Sequence, residues 1–366
     1  MRVLYVSATH GTHDRRFLTY LRDAPHIDSG FLLIAHDHQQ EEARRENERR
    51  GEHIWLIDGR QTEQTTVNDI RAVVSAFQPD VVHAGPIPSV TYLAARADAP
   101  GLTGMSWGYD LLLDAKESNE VAHRACQALA RCRAFIADCE TVRKAAIDLG
   151  MDRARTVVLP WGVDIDTFSP GPSDRSVRAQ HGIPEDATVF FTNRAWEPLY
   201  RVDVVIQAFD LVAGNGPNVW LLIAGDGSLA PGIRARIASS PARHRIVETG
   251  RLASAPMIAH YRNSDVYVSA ARIDGSSVSL LEAMACGLPA IVVDHAANRE
   301  WVVEGENGWR FVRDDASDLA RSMSASVAAA DDRRRMGAVA RDTATRRANW
   351  TRNRSKLDDA YRLATR

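Results

Sequence analysis

Several features that mark other classes of protein are missing from this chain of 366 residues. No apolar run approaches the roughly 18 to 20 residues that a membrane-spanning helix needs, and the apolar start MRVLYVSATH is too short for a secretory signal. The four cysteines show no CxxC spacing, which favours reduced, buried thiols in a cytosolic protein over a zinc site or a disulfide framework. With a net charge of -2, the composition gives no general case for binding nucleic acid.

Two short motifs of ligand-binding proteins are also missing or out of place. The loop after the first predicted strand, SATHGTHDRRF, has one glycine and therefore lacks the G-x-G-x-x-G fingerprint, which argues against a nicotinamide-dependent dehydrogenase. A D-x-D occurs at Asp164-Ile165-Asp166, but it lies in a linker-like string. We therefore predict no metal site.

Apolar runs of strand length alternate with helical patterns along the chain, which is typical of α/β proteins with parallel sheets. Seven predicted strands run from Val3–Val6 to Thr156–Leu159, and six more run from Val189–Thr192 to Gly308–Phe311. Between the two sets, LPWGVDIDTFSPGPSD is rich in Pro, Gly and Ser and indicates a domain boundary near 160–172. The pattern predicts an α/β protein of two domains.

The most informative stretch is VSAARIDGSSVSLLEAMACGLPAIVVD, residues 268–294. It predicts a strand, a polar turn, a helix whose start is surrounded by Ser276, Ser277 and Ser279, and a second buried strand. The free amides and the positive dipole end of that helix favour an anion, and Gly275 lets a ligand approach the backbone closely. Asp274 and Glu282 flank the turn, and carboxylates accept hydrogen bonds from hydroxyls. This combination suits a sugar joined to a nucleotide by a diphosphate.

At these residues the chain resembles the retaining glycosyltransferases of family four, which carry a Glu, seven residues and a second Glu in this region. Here the first acid is Asp274, and the rest, GSSVSLLEAMACGLPAIVV, fits the family pattern. The resemblance implies the GT-B fold, an α/β architecture of two facing Rossmann-like domains with the nucleotide-sugar site in the interdomain cleft. It further implies that Glu282 holds the ribose hydroxyls and Asp274 those of the donor sugar, while the amides of Ser276, Ser277 and Val278 face the diphosphate.

Further donor-side residues follow from the same resemblance. TNRAWEPLYRVDVVIQAF is similar to a family segment that reads GR and then KG, which implies that Arg194 grips the diphosphate. The lysine place holds Tyr200 and the glycine place Arg201, so Arg201 either supplies the second charge or is a surface arginine at a helix start. The family's first-strand loop, GDG turn and base-binding region add Gly11, Gly225, Asp226, Gly227, Arg251 and Leu252. Because backbone groups in this region would contact the base, the side chains do not indicate whether the nucleotide is UDP or GDP.

The first domain is expected to supply the acceptor side. In GMSWGYDLLL, where relatives often carry a His near the reacting sugar, Asp110 could hold sugar hydroxyls. Trp107 could stack on a sugar face or pack beneath the loop, and His83 could face the site or be a strand-end histidine with satisfied nitrogens. The weaker acceptor-side or sugar-side candidates are His10, His13, His83, Trp107, Asn298 and Glu300.

The resemblance also sets domain limits and a location. It implies an N-terminal acceptor-side domain at 1–165, joined by a returning helix at about 350–366, and a C-terminal nucleotide-sugar-binding domain at 166–349. The stretch from Arg333 is basic and could touch an anionic membrane that carries a lipid-linked acceptor, although a solvated helix pair is the alternative. We therefore expect a cytoplasmic protein, with peripheral contact to the inner membrane face left open.

The implied activity is transfer of a sugar from a UDP- or GDP-type nucleotide-diphosphate sugar to an acceptor hydroxyl, with retention and with no cofactor. The acceptor would be a sugar, a lipid-linked molecule or a small molecule in glycan, cell-envelope or glycoconjugate biosynthesis. The candidate catalytic residues are Arg194, Arg201, Asp274 and Asp110. Two alternatives remain: a sugar-nucleotide epimerase of the same architecture, which needs no acceptor, and a catalytically silent relative, suggested by the unusual residues Tyr200, Trp107 and Asp274.

Overall fold

The computed structural model describes residues 1–36, 40–41, 43–45, 53–171, 176–216 and 218–366. The chain divides into two compact units, one of Met1–Pro160 with Arg352–Arg366 and one of Trp161–Thr351. The far end of the predicted linker, residue 172, lies outside the described residues.

Each unit is built on one parallel sheet, which confirms the predicted α/β fold with two parallel-sheet domains. The first unit contains β1 (Arg2–Ser7), β2 (Asp28–Ala35), β3 (His53–Asp58), β4 (Val81–Gly85), β5 (Thr103–Met105), β6 (Ala134–Ala137) and β7 (Thr156–Val158). The second contains β8 (Thr188–Thr192), β9 (Val219–Ala224), β10 (Ile246–Gly250), β11 (Val266–Ser269), β12 (Ala290–Val293) and β13 (Gly308–Phe311).

Helices connect the strands, as parallel pairing requires. In the first part of the chain they are α1 (Thr12–Asp23), α2 (Glu63–Phe77), α3 (Tyr92–Arg96), α4 (Ala115–Glu117), α5 (Asn119–Arg131) and α6 (Glu140–Asp148). They continue with α7 (Ser176–Gln180), α8 (Val202–Gly214), α9 (Ala230–Ser239), α10 (Ser254–Arg262), α11 (Val278–Ala285) and α12 (Ala296–Arg299). The last are α13 (Ala316–Ala328), α14 (Ala330–Arg347), α15 (Trp350–Asn353) and α16 (Lys356–Ala364).

The strand order places a switch point in each sheet. The orders are β3-β2-β1-β4-β5-β6-β7 and β10-β9-β8-β11-β12-β13, so the connections run outward in opposite directions from β1 and from β8. In open α/β sheets, ligands bind at the carboxyl ends of the strands beside such a point. The loops after β1 and β4, and those after β8 and β11, are therefore the first places to look for a site.

Both faces of the second sheet are buried, which explains why its strands read as continuous apolar runs. Phe190 packs in the core on one face, with Trp196 and Phe209, and its neighbour Phe191 packs on the other. The opposite directions follow from the two-residue period of a strand. These two cores fix the positions of β8 and β11, and the loops that follow these strands contain the candidate site.

The last helix belongs to the first unit. Leu357, Ala360 and Tyr361 of α16 are buried, and Lys356 donates to the carbonyl of Val158 at 3.1 Å. The chain enters the second unit just after residue 160, because Val163 pairs with residue 349 there.

Candidate active site

The site in the second unit lies at its switch point. Arg194 follows β8 by two residues, and Asp274 follows the adjacent strand β11 by five. Because β8 and β11 pair in parallel, both loops leave the same edge of the sheet. The fold therefore brings together two residues that are 80 positions apart in the sequence.

Arg194 is held by three side chains of the predicted motif. Its Nη1 donates to Ser277 Oγ at 2.5 Å and to Ser279 Oγ at 2.7 Å, and its Nη2 donates to Asp274 Oδ2 at 2.7 Å. The Arg194 Nε is buried without a partner among the described residues. The guanidinium is thus oriented by Asp274 and the start of α11, and its remaining N–H groups are the ones a diphosphate could use.

The environment of Arg194 keeps it charged. Burial by itself would lower the pKa of the guanidinium, but Asp274, Tyr200 and Tyr267 outweigh burial and raise that pKa above its ordinary value. The guanidinium carbon also lies 4.1 Å from the ring centroid of Tyr200, within cation–π range. Tyr200, at the family's lysine place, therefore supports the one arginine instead of adding a second charge.

The helix start is organised around the same contacts. Ser277 is the N-cap residue of α11, yet its hydroxyl caps no backbone amide; it accepts from Arg194 instead. Ser279 Oγ also accepts from the Tyr267 hydroxyl at 2.8 Å. Because Ser277 does not cap them, the first amides of this eight-residue helix remain for another acceptor.

Glu282 is one helical turn further on and joins a separate chain of hydrogen bonds. Tyr261 donates to Glu282 Oε2 at 3.0 Å, and Asn193 Nδ2 donates to the Tyr261 oxygen at 2.7 Å. Burial, followed by the charge of Glu282, raises the pKa of Tyr261 well above its ordinary value, so its hydroxyl stays a donor. The carboxylate is only partly buried, and the bond from Tyr261 orients it.

Arg201 is occupied by other partners. Its guanidinium pairs with Asp203 through two bonds, at 3.1 and 3.0 Å, and it also contacts Asp314. The Asp203 hydrogen bond is the main reason why its pKa is raised. Its backbone is left-handed, with φ 47° and ψ 45°, a conformation that favours glycine. The family's glycine place is therefore retained in geometry although the residue is arginine.

The GDG turn supports the Arg194 loop. A Cβ on Gly225 would lie 2.6 Å from the carbonyl oxygen of Arg194, and one on Gly227 would lie 2.5 Å from that of Trp196. The Trp196 amide donates to the carbonyl of Asp226 at 3.0 Å. These glycines are thus required by packing of the two loops, an explanation that does not involve the nucleotide.

Four further donor-side or sugar-side candidates follow strands of the same sheet. Arg251 is exposed and Leu252 packs against the core just after β10. Asn298 is buried and donates to the carbonyl of Val293 at 2.8 Å, and Glu300 ends the short helix α12. Their contacts with a ligand stay predictions, and the bond from Asn298 also gives it a structural role.

In the first unit, the loop after β1 is held by Asp14. This buried carboxylate accepts from the Gly11 amide at 2.8 Å, the Thr9 hydroxyl at 2.8 Å and the Tyr5 hydroxyl at 3.0 Å. Burial raises its pKa, against these hydrogen bonds. A Cβ on Gly11 would meet only Asp14, at 3.6 Å, so packing within this unit does not require glycine there.

The two histidines of that loop differ in exposure. His10 is buried against Phe31, with ring centroids 5.6 Å apart, whereas His13 is half-buried in the first turn of α1. Their contact with a sugar or an acceptor stays a prediction.

Asp110 is the anchor of the loop after β5. Its Oδ1 accepts from the Ser106 hydroxyl at 2.6 Å and the Trp107 amide at 3.0 Å, and its Oδ2 accepts from the Ile87 amide at 2.9 Å. Burial raises its pKa to about 6 against these bonds. Both oxygens therefore already hold backbone and hydroxyl donors, which favours a role in positioning Trp107.

Trp107 itself is half-buried, and its indole Nε1 is buried without a partner among the described residues. A Cβ on Gly85 would lie 3.2 Å from this nitrogen, so the glycine at the end of β4 makes room for the ring. The structure thus combines packing beneath the loop with an N–H group that lacks an acceptor.

His83 lies in the core of the first unit. It is fully buried, with Nδ1 2.9 Å from the Tyr361 hydroxyl and Nε2 3.2 Å from Met105 Sδ. Burial lowers its pKa to about 3, so the ring is neutral at pH 7. His83 is the third of the five residues of β4, so the expected strand-end position is wrong, but both ring nitrogens have contacts and the ring links β4 to the last helix.

The D-x-D of the linker forms a local turn. Asp164 accepts from the amides of Asp166 and Thr167 at 3.1 and 3.2 Å and from the Thr167 hydroxyl at 2.6 Å. Within the described ranges, no group of three or more His, Cys, Asp or Glu side chains could hold a metal ion.

The C-terminal basic stretch is largely paired. Arg334, Arg335 and Arg346 contact aspartates three or four residues away on the same helix. Arg341 donates to the carbonyls of Phe168 and Ala285. These contacts favour the solvated-helix interpretation. Among the described helices, none has the length and apolar character that crossing a membrane requires.

Several side chains of the site were not predicted from the sequence. Tyr261 and Tyr267 orient Glu282 and Ser279, and Asn193 completes the chain. His295 caps α12 by accepting from the Asn298 amide, and burial lowers its pKa to about 4 although Asp274 favours its charged form. The available signal was the hydroxyl of Tyr267 inside the apolar run VYVSA, since a buried hydroxyl needs a partner; Tyr261 lies between His260 and Arg262 and gave no such signal.

Comparison with known proteins agrees with this architecture. The family described as "Glycosyl transferases group 1" matches residues 173–343, and the family "Glycosyltransferase Family 4" matches residues 31–167. The chain belongs to this glycosyltransferase family, and the two matches fall on the two halves of the fold.

Curated relatives match over part of their length. A D-inositol 3-phosphate glycosyltransferase of Kineococcus radiotolerans is 28% identical over 190 residues, 48% of this chain and 42% of the relative. A phosphatidyl-myo-inositol mannosyltransferase of Mycolicibacterium smegmatis is 31% identical over 196 residues, 53% of this chain and 47% of the relative. The chain thus spans about half the length of the curated relatives it matches.

Solved structures share the fold over almost the whole chain. HepE of Anabaena, solved in complex with UDP, superposes with a TM-score of 0.82 at 17% identity, covering 98% of this chain and 99% of HepE. Sucrose-phosphate synthase of Thermosynechococcus elongatus gives a TM-score of 0.78 at 15% identity, covering 99% of this chain and 98% of that protein.

Proposed function

We propose that this protein transfers a sugar from a nucleotide-diphosphate sugar to an acceptor hydroxyl with retention of anomeric configuration. The observation that carries the proposal is the cluster of Arg194, Asp274, Ser277 and Ser279 at the switch point of the second sheet. Family membership and the UDP bound to HepE support it. We propose that the second unit makes most of the contacts with the nucleotide sugar.

In this proposal, the second unit stabilises the leaving diphosphate. The Arg194 guanidinium and the first amides of α11 face the place where negative charge grows as the sugar–phosphate bond breaks. Glu282, oriented by Tyr261, accepts from the ribose hydroxyls, and Asp274 accepts from hydroxyls of the donor sugar. No side chain is proposed as a nucleophile, so the departing phosphate would help to deprotonate the acceptor on the face that it leaves.

The acceptor side is proposed for the first unit. We propose that the half-buried Trp107, whose amide donates to Asp110, packs part of its ring against the acceptor. Relatives that bear names of inositol phosphate and phosphatidylinositol enzymes make a polyol or lipid-linked acceptor a reasonable first choice. We propose a cytoplasmic enzyme of glycan or glycoconjugate biosynthesis.

The first test is a thermal-shift screen of UDP- and GDP-sugars, because a ligand at 100 times its Kd adds about 2.7 kcal/mol to the free energy of unfolding. We expect stabilisation by at least one nucleotide sugar, lost in Arg194→Gln. No stabilisation by any member of the panel would contradict the proposal.

The second test follows the product by proton NMR with an α-linked donor and a panel of polyol acceptors. We expect an α-linked product and activity that survives EDTA, because cationic and amide groups already face the diphosphate. A β-linked product, or activity abolished by EDTA and restored by manganese, would contradict the mechanism. An altered nucleotide sugar released without acceptor would indicate the epimerase.

A further inference from the structure

The cation proposed to grip the diphosphate already has an anionic partner. The Arg194 Nη2 to Asp274 Oδ2 distance is 2.7 Å, and the side chains are only 10% and 20% exposed. Tyr200 stacks on the guanidinium where the family has a lysine, and Arg201 pairs with Asp203 and Asp314. The charge of Arg194 is therefore balanced by Asp274 before any ligand contributes.

This pairing has a physical reason. A guanidinium so little exposed is costly to leave unpaired, because an isolated charge loses most of its hydration. Asp274 supplies the missing anion. A diphosphate offers more acceptor oxygens and more charge, in a geometry that suits the arginine fork. Two anions on one guanidinium repel each other, since their charges would lie a few ångströms apart.

Ser277 and Ser279 can keep the Arg194 guanidinium in place while a diphosphate replaces Asp274 as its anionic partner. Ser277 and Ser279 hold Nη1, whereas Asp274 holds Nη2, and Nε has no partner among the described residues. An incoming anion can therefore take the Nε and Nη2 edge while Nη1 stays fixed. We propose, resting on the proposed function, that Asp274 is a resident counter-ion of Arg194 that the diphosphate displaces, and that the freed carboxylate then binds hydroxyls of the donor sugar.

The exchange couples two contacts that would otherwise be independent. The diphosphate must displace Asp274 before this carboxylate can face the sugar, so part of the diphosphate's binding energy is used to prepare the sugar contact. UDP or GDP, which has no donor sugar, must still compete with Asp274 for Arg194. It gains no contact from the displaced carboxylate. Removing the acid should therefore tighten the binding of UDP or GDP, although it weakens contact with the sugar.

The test is calorimetric titration of the full chain with UDP and with GDP. Asp274→Asn keeps the shape and removes the charge, and we expect it to bind the nucleotide roughly tenfold more tightly than the wild type does. Glu248→Gln is the matched control, because it removes one carboxylate that pairs with Arg234 at 2.8 Å in the same unit. It should leave the affinity unchanged. If Asp274→Asn does not fold, as judged by circular dichroism, Asp274→Ser takes its place.

A double-mutant cycle separates exchange from simple repulsion between Asp274 and the nucleotide. With exchange, Asp274→Asn has a much smaller effect in the Arg194→Gln background, because the competition for Arg194 is gone and only the repulsion between the two anions remains. An equal gain in both backgrounds, or an unchanged affinity in Asp274→Asn alone, overturns the exchange and leaves the proposed function intact. Failure of the wild type to bind either nucleotide at millimolar concentration overturns the proposed function as well.

Discussion

At the scale of single residues, the acids of the site differ in how much of each carboxylate remains for a ligand. Both oxygens of Asp110 accept from donors of its own loop and of Ile87. Glu282 is only partly buried and is oriented by Tyr261. These contacts could not be predicted from the sequence, because the three donors to Asp110 come from two separate loops. They favour a positioning role for Asp110, whereas the partly buried carboxylate of Glu282 keeps room for a hydroxyl.

Replacing Asp110 with alanine should destabilise the protein. The Ile87 and Trp107 amides and the Ser106 hydroxyl would lose their acceptor inside the fold, which costs about 2–4 kcal/mol of unfolding free energy. Ser106→Ala, which removes one of the three donors, should cost less. Urea unfolding measures both, and equal midpoints for Asp110→Ala and the wild type would contradict the anchoring role.

Replacing Glu282 with alanine should weaken nucleotide binding and leave the fold intact. One charge-assisted hydrogen bond to the ribose is worth about 1.5–3 kcal/mol, and no core side chain is removed. Tyr261→Phe keeps the carboxylate and removes only its orienting donor, so its effect on affinity should be smaller. Calorimetry with UDP and GDP decides, and an unchanged affinity in a folded Glu282→Ala would exclude the ribose contact.

At the scale of elements, the start of α8 shows what the sequence predicted and what it left open. The family pattern has glycine where this chain has Arg201, and the backbone there is left-handed all the same. No glycine marked this turn in PLYRVD, so its geometry was not visible in the sequence. The start of α11 could be predicted, because its polar turn is followed by apolar residues at helical spacing.

Arg201→Gly tests whether this arginine contacts phosphate. Relief of the left-handed backbone, roughly 1–2 kcal/mol, offsets the loss of partly exposed ion pairs worth about 0–1 kcal/mol. The unfolding free energy should therefore change little. We expect less than a threefold loss of UDP affinity, against more than tenfold for Arg194→Gln. A loss as large as that of Arg194→Gln would mean that Arg201 leaves Asp203 and binds the diphosphate.

The GDG turn gives a prediction about the loop that it supports. Gly227→Ala places a methyl group 2.5 Å from the Trp196 carbonyl oxygen, so the segment after Arg194 must move. We expect a loss of about 1–3 kcal/mol in unfolding free energy together with weaker UDP binding. Gly232→Ala is the control, because it meets nothing within 4 Å in α9 and should stabilise by about 0.5–1 kcal/mol. If both variants bound UDP more weakly, the loss of affinity could not be attributed to the GDG turn, and the prediction would be wrong.

At the scale of the whole molecule, the alternation of apolar runs predicted the two parallel sheets, and strand order then determines where the site lies. Strand order could not be read from the sequence, since an apolar run predicts a strand without indicating which other strand lies beside it. The sheet brings Arg194 to Asp274 because β8 and β11 are neighbours, although two strands separate them along the chain. The packing of His83 against Tyr361, 278 positions away, was hidden for the same reason.

That buried histidine should affect how stability depends on pH. The folded-state pKa of His83 is lowered to about 3 by burial, against about 6.5 in the unfolded chain. Below pH 6.5 the unfolded state therefore binds a proton that the folded state does not, and stability falls as pH falls. At 1.36 kcal/mol per pH unit, the loss reaches about 3 kcal/mol near pH 4.5.

Asp110 changes the pH dependence of stability in the opposite direction. The contribution of His83 is therefore measured as the difference between the wild type and a His83 variant. The pKa of Asp110 is raised to about 6, and its folded form gains stability as pH falls from 6 toward 4. His83→Asn does not titrate and keeps an acceptor near the Tyr361 hydroxyl, while Asp110 is retained. Urea unfolding at pH 7.0 and 4.5 should show the wild type losing about 3 kcal/mol more than His83→Asn. Equal losses would mean that the imidazole reaches water and is protonated without unfolding.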